Sequence, residues 1–153
     1  MIATRYVTAA ILVGLANGPS LAADLPAPFL PVVDEARQAC AELDGEFDMS
    51  DMAILSLDLD GDAENDAVLD TSAFACSTAA SLYSGTGGAP YHLLVDGTIT
   101  TVTGHDLTTI ELFGGPVVLV ARHGSACNGL GYQRCVEALV WDEGAFRTVG
   151  AEE

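Results

Sequence analysis

Two periodicities divide the chain. Residues 33–43 (VDEARQACAEL) place apolar and charged positions at helical spacing, with Asp34 and Glu35 early and Gly45 just beyond, which predicts a short helix carrying Cys40. After it the spacing becomes that of strands. Residues 53–57 (AILSL) run into an acidic turn and 67–69 (AVL) leave it. Residues 91–95 and 98–103 flank Asp96-Gly97, a strong hairpin signal because both positions accept a positive φ. Residues 108–113 and 117–122 flank Gly114-Gly115-Pro116, and 136–141 and 145–149 flank Asp142-Glu143-Gly144, giving two further hairpins. The stretch 117–121 (VVLVA) is apolar throughout and predicts a central strand buried on both faces. Residues 24–31 (DLPAPFLP) predict an extended leader outside the core, and 76–82 either one helical turn or irregular chain. The expected fold class is α+β: a mainly antiparallel β-sheet with a short N-terminal helix packed against it.

The amino terminus carries a different pattern. Arg5 precedes the apolar run 6–16 (YVTAAILVGLA), Asn17-Gly18-Pro19 interrupt it, and Ser20-Leu21-Ala22-Ala23 are the residues a signal peptidase accepts. The run is about 11 residues, where a spanning helix needs roughly 20. The expected organisation is a signal peptide at 1–23, a leader at 24–32 and one β-rich domain at 33–153. The expected location is periplasmic or secreted, with no membrane insertion after cleavage. Nothing later in the chain approaches spanning length.

Charge narrows the partners. All 22 acidic residues lie after Ala23, against Arg37, Arg122, Arg134 and Arg147, and the chain has no lysine. Such a field repels nucleic acid and anionic membranes and favours cations or a basic periplasmic protein. Acidity that serves only solubility is the plainer alternative.

Cys40, Cys76, Cys127 and Cys135 allow three pairings in an oxidising compartment. The favoured one joins Cys40 to Cys76 and Cys127 to Cys135. The short loop would contribute roughly 2.6 kcal/mol and the long one nearer 4 by chain entropy. No CxxC pair is present, which argues against zinc.

Residues 58–66 (DLDGDAEND) concentrate the chemistry. Asp58, Asp60, Asp62 and Asp66 hold loop positions one, three, five and nine, with Glu64 at seven. A hard divalent cation takes six to eight oxygens, and alternating residues of a tight loop turn their carboxylates inward. Five carboxylates in nine residues repel one another unless a cation offsets them. The segment resembles the calcium loops of integrin-type FG-GAP repeats, DxDGDxxxD between two strands. That resemblance implies a structural calcium site at Asp58, Asp60, Asp62, Glu64 and Asp66. The chain departs from the pattern at Ala63, where the family has a glycine suited to a left-handed backbone. It also lacks the twelfth-position glutamate of an EF-hand, having Leu69 there.

A wider resemblance covers most of the mature chain. The acidic loop, Cys76, the segment SLYSGTGGAPYHLLVDG and the tail HGSACNGLGYQRCVEALVWDEGAFR are similar to a family of uncharacterised exported proteins of Gram-negative bacteria. Relatives often carry two further cysteines, at positions equivalent to Ser84 and Ala89. The resemblance implies a periplasmic, disulfide-linked β-rich domain and brings no activity.

His123 and Ser125 invite a hydrolase reading, with histidine as base and serine as nucleophile. No GxSxG is present, and a polar-capped structural turn is the alternative. The segment 84–90 lacks the GK[ST] ending of a phosphate loop. His92 and His105 stand alone, and Trp141 reads as core. Three functions remain: a non-enzymatic domain with a structural calcium ion, an acidic binding protein or inhibitor of a basic envelope protein in the manner of periplasmic lysozyme inhibitors, and a hydrolase.

Overall fold

The computed structural model describes residues 25–149, so the expected signal peptide lies outside the described residues. The first of these residues are not a leader. Ala27–Phe29 form a 3-10 turn that runs directly into helix α1 (Leu30–Ala41), and the Phe29 side chain is fully buried. The expected start at residue 33 was therefore three residues late. Pro31 falls in the first turn, where the missing N–H has no intrahelical partner to lose. Composition suggested an extended leader, but one buried aromatic anchors the segment. At the other end, Asp44 turns left-handed (φ 54°) and the Gly45 N–H bonds the Cys40 carbonyl.

Ten strands follow: β1 (Phe47–Met49), β2 (Ile54–Leu57), β3 (Asp66–Asp70), β4 (Phe74–Cys76), β5 (Ala89–Val95), β6 (Thr98–Gly104), β7 (Asp106–Leu112), β8 (Gly115–Arg122), β9 (Cys135–Asp142) and β10 (Ala145–Thr148). They form a sheet ordered β2-β3-β5-β6, a second ordered β10-β9-β8-β7, and a ribbon β1-β4, with every pair antiparallel. The fold class is the expected one, a mainly antiparallel structure with one short α-helix among the described residues. The ribbon was not expected, because three-residue strands carry too little alternation to register.

The layers follow from side-chain parity along the strands. Val68, Tyr91, Leu93 and Val95 of the first sheet meet Leu107, Val118, Val120 and Leu139 of the second in one core. Leu69 faces the opposite way and packs with Phe29 of the 3-10 turn, Val33 of α1, Ala53 and Phe74 in another. Phe47, Phe74 and Tyr83 close that second core edge to face, with centroids 5.3–5.8 Å apart. The first sheet is thus covered on both sides. The second sheet is covered on one. β8 is an interior strand whose outer side is buried at Val117 but only half-buried at Leu119 and Ala121, so the expected burial on both faces holds fully for the inner face and only in part for the outer.

Three two-residue turns join β5–β6, β7–β8 and β9–β10. Their first residues Asp96, Phe113 and Glu143 have φ of 48°, 55° and 48°, and Gly97, Gly114 and Gly144 have 76°, 86° and 83°. This is the pattern of type I′ turns, whose twist matches the strands they connect. In the middle hairpin the turn is Phe113-Gly114 rather than Gly114-Gly115-Pro116, because Leu112 pairs with Gly115. Phe113 is left fully exposed at the tip.

Both favoured disulfides form: Cys40–Cys76 ties the end of α1 to β4 and Cys127–Cys135 closes the loop before β9. Gly45 lies against the first bridge so closely that a Cβ there would strike both sulfurs. Among the described residues no helix is long and apolar enough to cross a membrane.

Candidate metal centre

The acidic loop leaves β2 and returns into β3, with Leu57 paired to Asp66 at its neck. Leu59 is fully buried beneath it and fixes the loop to the inter-sheet core. Its own aspartates then fold the backbone. Asp58 Oδ1 accepts from the Gly61 N–H at 2.7 Å and Oδ2 from the Ala63 N–H at 3.2 Å. Asp60 accepts from Asp62 N–H at 3.0 Å, and Asp62 accepts from Glu64 N–H at 2.7 Å. Asp66 Oδ2 reaches back to the Leu59 N–H at 2.9 Å. These are local side-chain turns that aspartate makes readily. Gly61 (φ 87°) lies over the Pro116 ring, where an added Cβ would sit 3.0 Å from Cδ. Ala63 adopts φ 67°, the left-handed conformation a glycine would take without strain.

Of the five expected ligands the structure brings three side chains together. One carboxylate oxygen from each of Asp58, Asp60 and Asp66 lies within 4.8 Å of the others, and all three residues are half-buried. Asp62 and Glu64 are exposed and stand outside this group. Two oxygens bound to one calcium at about 2.4 Å are at most about 4.8 Å apart, so the trio meets the distance limit for sharing one ion of that size. Each carboxylate oxygen has two lone pairs, so accepting a backbone N–H leaves one for a cation. Burial, opposed by the Leu59 hydrogen bond, raises the Asp66 pKa above its ordinary value, and the charges of Asp60, Asp62 and Asp58 push it further.

His123 and Ser125 also meet, with Nδ1 at 2.7 Å from Oγ. The Ser125 N–H bonds the same nitrogen at 3.4 Å, so His123 caps the 3-10 turn Gly124–Cys127. The Gly131 backbone lies directly against Nε2, on the side an orienting acid would need. His105 approaches with ring centroids 6.5 Å apart. His92 faces Thr101 at 2.9 Å, and desolvation, opposed by Glu35, lowers its pKa. Trp141 packs edge to face on Phe146 at 5.0 Å against the inter-sheet core. Glycines 85 and 88 bridge each other in a tight surface turn.

Sequence reasoning missed a cavity of about 350 Å³ between α1 and the chain leading into β5, lined by Glu35, Phe74, Leu82, Tyr83, Pro90 and His92. Its nearest signal was Tyr83, whose hydroxyl donates to the Ala36 carbonyl at 2.7 Å.

No family model, no curated protein and no solved structure matches this chain.

Proposed function

We propose that the chain is a non-enzymatic exported domain whose acidic loop holds a structural calcium ion. The observation that carries this reading is the convergence of Asp58, Asp60 and Asp66 at the junction of β2 and β3. The likeness of DLDGDAEND to FG-GAP calcium loops supports it, as does the left-handed backbone at Ala63, the position where those loops use glycine. The ion would offset the repulsion among the carboxylates and tie the two strand ends together.

Thermal melts in calcium and in chelator test it. A ligand bound only by the folded state stabilises by about 2.7 kcal/mol at one hundred times its dissociation constant, which moves the midpoint of a domain this size several degrees. Asp66→Asn, which retains an acceptor for the Leu59 N–H, should lose most of that shift. The pH dependence has a defined sign. The folded-state pKa of Asp66 lies above 3.8, so between 3.8 and the raised value the folded chain holds a proton the unfolded chain has released. Its contribution therefore falls as pH rises through that window. Calcium, which favours the ionised form, should flatten this dependence, and Asp66→Asn should remove it. Identical melting with and without calcium would end the reading.

A second reading is favoured by charge. The chain has 22 acidic residues against five basic ones, and Arg37, Arg122 and Arg147 are each ion-paired, to Asp34, Glu137 and Asp142. That leaves a field suited to a basic protein partner. Absence of any salt-sensitive association with cationic probes would remove it.

A further inference from the structure

The second sheet has an outer face that breaks the usual alternation. The pairings Ile110↔Val117, Leu119↔Ala138 and Ala121↔Val136 put these side chains on the side away from the core that holds Val118, Val120 and Leu139. Antiparallel sheets with one solvated side ordinarily carry polar residues there. This face instead presents Ile110, Leu119, Ala121, Val136, Ala138 and Val140 beside Thr108, with Ile110 41% and Val136 62% exposed, Leu119, Ala121, Ala138 and Val140 half-buried and Val117 buried. Its margin is acidic. Asp106 pairs with Ala121 at one end, and Asp142 and Glu143 stand at the end of β9. Arg147, on the same side opposite Val140, is held by Asp142 at 2.8 Å.

From this we infer that the outer face of β7–β10 docks a basic protein through an apolar ridge flanked by lysine or arginine. The assignment rests on the basic-partner reading and is independent of the calcium site. Charge selects this occupant over a second copy, because the face is too small to hold either by apolar contact alone. Four strands about 4.8 Å apart and seven residues at about 3.3 Å give a face of roughly 440 Å². Two such faces bury roughly 900 Å², below the 1,200–2,000 Å² of stable complexes. Each copy also carries a net charge of −17, which opposes self-association. For a cationic partner the same charge attracts, and a modest apolar contact is sufficient for a salt-sensitive complex.

The test is titration of the purified protein with a 14-residue amphipathic Leu–Lys helix, about 21 Å long and so matched to the strands. Binding to Ile110→Thr/Val136→Thr, which keeps charge and strand preference, should be at least tenfold weaker. A Lys–Ser peptide of equal charge should bind the unaltered protein at least tenfold less tightly than the Leu–Lys helix. Equal affinity of the two proteins for the Leu–Lys helix would overturn the surface and leave the basic-partner reading standing. No binding of either peptide at about 0.1 M salt, where the Debye length is about 10 Å, would overturn both. Sedimentation as a dimer that the double variant dissociates would give the face to a second copy and overturn the proposal.

Discussion

The two four-stranded sheets are built from similar strands but end in different surroundings. In β2-β3-β5-β6, alternate residues serve two cores, Val68 and Leu93 toward the second sheet and Leu69 toward α1. In β7–β10 the inward residues Leu107, Val118, Val120 and Leu139 are also buried, while Ile110 and Val136 face outward and are 41% and 62% exposed. The difference shows that an apolar strand records what its sequence can bury, and the cover decides what it does bury. The stretch VVLVA in β8 is as apolar as a strand buried on both faces, yet only Val118 and Val120 enter the inter-sheet core.

The largest effect expected from this contrast concerns the cover itself. Removing the Cys40–Cys76 bridge, which spans 36 residues and fastens α1 beside the first sheet, should cost about 4 kcal/mol. Removing Cys127–Cys135, which spans 8, should cost about 2.6 kcal/mol. Denaturant titration of the two double alanine variants reads the difference, and equal losses would contradict it. Next, Leu93→Ala should cost about 3 kcal/mol, because it empties a fully buried site, whereas Leu119→Ala on the open face should cost about 1 kcal/mol. Similar values for both would mean that the outer face is covered after all. The smallest effect belongs to the acidic loop. Ala63→Gly relieves about 1 kcal/mol of left-handed strain and adds somewhat less in unfolded-chain freedom, so stability should rise by about 0.5 kcal/mol. A loss on that substitution would argue against strain at residue 63.

Much of this architecture was legible beforehand because its signals are local. The three hairpins and the helix carrying Cys40 follow from turn residues and periodicity, and both disulfides are the favoured of three possible pairings. Errors arose where tertiary contacts intervened. Phe29 reads as part of a proline-rich leader until a core appears beneath it, and pairing of Leu112 with Gly115 moved a turn onto Phe113. Within the acidic loop, spacing nominated five ligands without discriminating among them. The backbone turns made by Asp58, Asp60 and Asp62 then left Asp62 and Glu64 outside the trio. The open face could not be read at all, since strand register and the placement of the helix decide it.

The order of strands in the second sheet has a kinetic consequence. β7, β8, β9 and β10 are neighbours both in space and in sequence. Two of their three connections are two-residue turns, and the third is shortened by the eight-residue Cys127–Cys135 bridge. Low contact order of this kind favours early zippering, on the microsecond scale of hairpin formation. The first sheet must instead wait for β5 to return to β3 across the excursion through β4, and for the helix to arrive before Cys40 finds Cys76. The C-terminal meander is therefore the part of the chain equipped to fold first, and its local disulfide the one to oxidise first.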